Sequence, residues 1–131
     1  MKDKNELKLK LFNGIVQQNL PNHKNLPYLR KIMANNSIFG CCNIHIAFHC
    51  INKVVNNSNS YCKLHSHEVD EFNLIIGKNE GKGLKYKLSD GTKEVYVDSP
   101  HSVFIPKNTL HSAEAIEGEG YFVCIIMDGD I

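Results

Sequence analysis

The chain has 131 residues, 42% of them hydrophobic and 22% charged, with a formal net charge of +1 at pH 7. This describes one globular domain able to bury a core. It excludes the strongly basic balance of a nucleic-acid binder, and no basic stripe is interleaved with aromatics.

No apolar run approaches the roughly 20 residues of a membrane span, so no membrane partner is expected. The start, MKDKNELKLK, lacks the apolar core of a secretory signal. The five cysteines form no CxxC pair; Cys41 and Cys42 are adjacent, and Cys50, Cys62 and Cys124 stand alone. An odd, unpatterned set suits reduced thiols, and a cytoplasmic location is expected.

Leu7, Leu9 and Leu11 alternate with Lys8 and Lys10 as on a half-buried strand, although Leu7, Leu11 and Ile15 also fit a helical face. The alternation favours the strand. Pro21 to Pro27 reads as a turn-rich linker. Pro27 suits the first position of a short helix, with Leu29, Ile32 and Met33 on its buried face and Asn35, Asn36 and Ser37 ending it. From Ile38 the pattern is β. Asn43 to Ile51 alternates, with Ile44, Ile46, Phe48 and Cys50 on one face and His45, Ala47 and His49 on the other. Further strands are expected over Tyr61 to His67, Glu71 to Ile76, Leu84 to Leu88, Glu94 to Val97, Val103 to Ile105, His111 to Ile116 and Tyr121 to Met127. Asp90-Gly91 is a hairpin signal, because both residues tolerate positive φ. Roughly nine short strands with so little room for helices exclude a parallel α/β sheet.

Within CKLHSHEVDEFNLIIG, His65 and His67 are two apart and project from one side of an extended chain. Glu71 shares their parity, but a straight strand at ~3.3 Å per residue would carry it about 13 Å past His67. The chain therefore has to bend across Glu68, Val69 and Asp70. His111 follows the turn-forming Pro106 and Asn108. Three imidazoles and a carboxylate make a site for a divalent transition metal: iron, nickel, manganese, cobalt or zinc. Asn73, of the same parity as Glu71, is a candidate pocket residue, as is Tyr61. His45 and His49 are expected at solvent or an interface, His101 at the surface, and Glu68 and Asp70 as solvated charges. Tyr86 and Tyr96 flank the hairpin turn as a cross-strand pair.

HSHEVDE with Gly77, followed by VFIPKNTLH, resembles the two motifs of the cupin superfamily, G-x5-H-x-H-x3,4-E-x6-G and G-x5-P-x-G-x2-H-x3-N. The resemblance covers Asn59 to Ala115. It implies an all-β, double-stranded β-helix (cupin) barrel over residues 41–131, with an N-terminal extension over 1–40. It also implies metal ligation by His65, His67, Glu71 and His111. The departures are Asn59 and Pro100 at the opening glycines, Gly77 one residue early, Asn108 for glycine and Ala115 for the final asparagine. They affect turns and leave all four ligands present. The resemblance extends to dioxygenase, isomerase and lyase chemistries on a small polar molecule. Its alternative is a non-catalytic cupin whose metal anchors a carboxylate or sugar. Small cupins commonly dimerise, so a homodimer is expected.

Overall fold

The computed structural model describes residues 7–17, 26–55 and 62–131. In chain order they form β1 (Ile15–Val16), β2 (Leu29–Ala34), α1 (Asn36–Phe39), β3 (His45–Ile51), β4 (Glu71–Gly77), β5 (Leu84–Ser89), β6 (Glu94–Asp98), β7 (His101–Ile105), β8 (Ser112–Gly118) and β9 (Gly120–Ile126). The larger sheet runs β1-β2-β3-β9-β4-β7 and the smaller β6-β5-β8. Every pairing is antiparallel. The all-β class is as expected, laid out as two facing sheets rather than a closed ring of strands. No helix among the described residues is long and apolar enough to cross a membrane.

Two turns show why the sequence folds this way locally. Asp90 Oδ1 accepts from the Thr92 amide (2.9 Å), the Thr92 hydroxyl (2.8 Å) and the Lys93 amide (2.9 Å), while Gly91 takes φ 94°. The chain thus reverses between β5 and β6 without help from the core. At the β8–β9 turn Gly118 has φ 97°, and a Cβ there would lie 1.9 Å from the Gly83 carbonyl oxygen. Only glycine lets these backbones approach.

The core between the sheets gathers Ile51, Cys62, Ile75, Leu84, Tyr86 and Phe122. Tyr86 stacks on Phe122 with ring centroids 4.6 Å apart and planes 8° from parallel. Register pairs Tyr86 with Val97 and Lys87 with Tyr96, so the two tyrosines are not a cross-strand pair: Tyr86 is buried and Tyr96 is exposed.

Other expectations are also corrected. Leu29 to Met33 is strand β2, not a helix, because Arg30, Ile32 and Ala34 point inward while Leu29, Lys31 and Met33 point outward. A charged residue at an inward position hides that period of two. Asn35 starts a helix rather than ending one: its side chain accepts from the Ile38 amide at 2.9 Å and caps α1. Leu7, Leu9 and Leu11 are exposed and form no strand; pairing is confined to Ile15 and Val16 against Ile32 and Lys31. Part of the expected 21–27 linker falls outside the described residues.

Candidate metal centre

One end of the space between the sheets is polar. Residues 62–67 form no strand there, contrary to expectation, residues 68–70 form the expected bend, and Tyr61 lies outside the described residues. The segment is held by bonds from distant loops instead. His65 and His111 form an isolated antiparallel bridge, exchanging N–H···O bonds of 3.1 and 2.9 Å. The Asn108 amide donates to the His67 carbonyl. The Lys107 amide donates to Asp70 Oδ1 (2.9 Å), and the Met127 amide to the Asp70 carbonyl (3.0 Å). Asp70 is therefore a loop tie, not a solvated charge, whereas Glu68 is exposed. The chain then enters β4 with Glu71 facing inward, which supplies the bend that the spacing demanded.

The imidazoles of His65, His67 and His111 converge, with their ligand atoms all within 4.8 Å of one another. His65 Nδ1 lies 2.7 Å from the Lys63 carbonyl, and His111 Nδ1 2.9 Å from the Thr109 carbonyl. A carbonyl only accepts, so each Nδ1 carries the proton and each Nε2 presents a lone pair. Glu71 Oε1 sits 3.4 Å from both His67 Nε2 and His111 Nε2. Its other oxygen, Oε2, accepts from Asn73 Nδ2 at 2.7 Å, and the same amide donates to the Phe72 carbonyl at 3.0 Å. Asn73 thereby fixes the rotation of the Glu71 carboxylate.

Electrostatics favour neutral rings at His65 and His67 and an ionised Glu71, with His111 pulled toward its protonated form by that carboxylate. Burial lowers the affinity of His65 and His67 for a proton. Burial raises the Glu71 carboxyl, but the nearby His111 ring and the bond from Asn73 outweigh it and hold the group below the usual range. For His111 burial again works against the charged form, and the contacts with Glu71 and the Thr109 carbonyl reverse the direction, raising it. Glu71 Oε1 and His111 Nε2 are buried without a hydrogen-bond partner. Such orphaned atoms are costly unless something occupies the space between them. Two atoms each about 2.1 Å from one ion stand roughly 3 to 3.5 Å apart. The 3.4 Å separations match that, and the donor set suits a divalent transition ion.

No protein-family model matches the chain, and no curated protein matches it. Solved structures do. KdgF from a Halomonas species superposes with a TM-score of 0.56 at 15% identity, covering 86% of this chain and 85% of its own. An RmlC-like cupin from Shewanella frigidimarina gives 0.54 at 11% identity, covering 86% and 82%. The iron(II) form of HppE gives 0.59 at 14% identity, covering 96% of this chain and 62% of its own. The chain has the cupin fold.

On that cupin scaffold the structure brings His65, His67, Glu71 and His111 together, with Asn73 against the carboxylate. His101 is exposed, as expected. Cys62 is in the core, where burial pushes its thiol up to about 11. His45 and His49 are not at solvent: both are only 1% exposed on the inner face of β3. Arg30, 4% exposed, enters from β2 and donates to His45 Nε2 at 3.0 Å, which leaves His45 Nδ1–H to donate to the Ile131 main-chain oxygen at 2.9 Å. Sequence reasoning missed this buried Arg30–His45 pair. The signal was available in the parity of Arg30 with Ile32 and Ala34.

Proposed function

We propose that the chain is a metal-dependent cupin in which His65, His67, Glu71 and His111 hold one divalent transition ion and act on a small polar molecule. The observation that carries this is the pair of orphaned buried atoms, Glu71 Oε1 and His111 Nε2, inside a group of three converging imidazoles. The bound ion would supply Lewis acidity or a meeting point for substrate and dioxygen. The chain's own residues set the stage for it. The Lys63 and Thr109 carbonyls fix the histidine tautomers, and Asn73 aims Glu71. Dioxygenase, isomerase and lyase chemistries all fit such a site. Likeness to an iron(II) form of HppE, a hydroxypropylphosphonic acid epoxidase, supports iron as the first metal to test among iron, nickel, manganese, cobalt and zinc. A second reading, ligand binding without turnover, is favoured by the polar groups flanking the ligands. Asn73, Thr109 and Ser112 do not titrate near neutral pH.

The homodimer belongs to the same proposal. The outer face of the larger sheet is apolar: Phe72 and Phe104 lie 5.1 Å apart across β4 and β7, Phe48 and Tyr121 5.9 Å apart across β3 and β9, and Ile76 is exposed beside Tyr121. A contiguous apolar face of this kind suits a second copy related by a two-fold axis. All five cysteines are free, which supports a reducing, cytoplasmic setting.

Elemental analysis of protein purified without chelators tests the metal reading. Wild type is expected to carry about one transition ion per chain, and His111→Ala to lose it while keeping the β-sheet circular dichroism. Equal metal content in the two proteins would overturn the four-ligand site.

A further inference from the structure

A cavity of about 330 Å³ opens beside the histidines, between β7 of the larger sheet and the β5–β6 hairpin of the smaller one. This is the small end of the usual range for ligand pockets, about 300–1,000 Å³. A larger cleft of about 520 Å³ lies at the opposite end of β5 and β8, away from the histidines, and is lined by Lys82, Lys85, Asp98 and Glu117. The smaller cavity differs in kind. Its floor is Asn73 and His111, and its walls are Leu88, Val95, Val103, Ile105 and Leu110. Register explains the arrangement: Val103 is opposite Asn73 on β7, and Val95 is opposite Leu88 on β6. Val95 is 51% exposed at its mouth.

The polar atoms are few and directional. Both Nδ2 hydrogens of Asn73 are engaged, with Glu71 Oε2 and with the Phe72 carbonyl. The amide therefore offers the cavity an acceptor only, its Oδ1. The Thr109 carbonyl is engaged by His111 Nδ1. At the rim Asp90 is occupied by its own turn, which leaves Lys93 as an exposed cation there. A polyhydroxylated sugar would leave most of its hydroxyls unpaired against these walls, at a cost for each.

We infer that this cleft is the substrate pocket and that it takes a small amphipathic molecule: an oxygen-bearing head with an adjacent N–H or O–H donor at His111 and Asn73, and a hydrocarbon body between Leu88, Val95, Val103 and Leu110. The assignment of the head rests on the metal centre proposed above. The assignment of the body rests on the walls alone. The ligand class follows from the mismatch between largely apolar walls and a small polar set, Asn73 Oδ1 with the Thr109 and Ser112 hydroxyls.

Straight-chain hydroxamates are suitable probes, because the head chelates through two oxygens and carries an N–H. The full chain is loaded with Co²⁺, its visible absorption is followed, and acetohydroxamate, butyrohydroxamate and hexanohydroxamate are titrated in turn. Affinity is expected to rise about two- to fourfold per added methylene. Val95→Asp is expected to flatten the series. Val95→Trp is expected to block hexanohydroxamate while admitting acetohydroxamate. Cobalt content per chain is expected to be the same in all three proteins. With cobalt bound, affinities independent of chain length in wild type, or a chain-length trend intact in both variants, would overturn the cleft and leave the metal centre standing. Failure to take up cobalt would overturn the metal centre and the placement of the head together.

Discussion

The two ends of the space between the sheets are made by the same strands yet differ completely in chemistry. Along the inner face of β4 the residues run Glu71, Asn73, Ile75, Gly77, all buried. The first two belong to the polar end and Ile75 to the apolar core. β3 follows this gradient in part: His45 lies at the polar end and Ile51 at the apolar end, while buried His49 sits against Phe122 within the apolar part. The apolar end is closed by interdigitated side chains such as the Tyr86–Phe122 stack. The polar end is closed by loops held through hydrogen bonds. The lesson is a division of labour along single strands: the apolar end supplies rigidity and the polar end exploits it. Stability and ligand binding should therefore respond to different substitutions.

Ile75→Ala probes the apolar end. Ile75 is fully buried, and its truncation should cost about 2–5 kcal/mol in denaturant unfolding. The remaining folded protein should keep its metal content; joint loss of both would merge the two ends. Asn73→Leu probes the polar end without touching a proposed ligand. Releasing Glu71 should weaken metal affinity about 10- to 100-fold in a competition titration with a chelator, with a smaller change in unfolding midpoint. Unaltered affinity would remove Asn73 from the site. Asn35→Ala removes the cap of α1 and should lower stability by about 1 kcal/mol, with no change in metal affinity.

The smallest effect belongs to Asp90, outside both ends. Bonds from the Lys93 and Thr92 amides, then from the Thr92 hydroxyl, hold its carboxyl at about 2, below its ordinary 3.8. A carboxyl held low stabilises the fold above its unfolded value and loses that contribution as pH falls through the folded value. Stability should therefore decline between about pH 4 and pH 2, and Asp90→Ala should make that segment flatter. An identical pH profile for the variant would show that the turn bonds contribute nothing.

Much of this division was legible before the structure. The Asp90-Gly91 turn, the alternation of β3 and the H-x-H-x3-E segment with His111 rest on local chemistry, which the sequence displays directly. What was not legible depended on partners far along the chain. β3 carries apolar residues outward and histidines inward, the reverse of the usual amphipathic rule, because its inner face adjoins Arg30 and Glu71 while its outer face joins an exposed apolar sheet surface. β2 was hidden for the same reason, by an inward Arg30. The described part of the expected Tyr61 to His67 strand looked extended because its parity was right. Its shape and that of the bend after it are set by His111, Asn108 and Lys107, more than thirty residues away. No local pattern could reveal the cleft, since its lining is drawn from β4, β5, β6, β7 and the loop before β8.

The central claim is that His65, His67, Glu71 and His111 share one ion. X-ray absorption spectroscopy at the metal edge of the zinc- or cobalt-loaded protein reads its coordination shell directly. The account predicts a shell of nitrogen and oxygen only, at about 2.0–2.2 Å, with the multiple-scattering signature of three imidazoles in wild type, and no such shell from His111→Ala, which does not retain the ion. A shell containing sulfur at about 2.3 Å, with wild type and variant giving the same spectrum, would place the ion on the exposed Cys41 and Cys42 and contradict it.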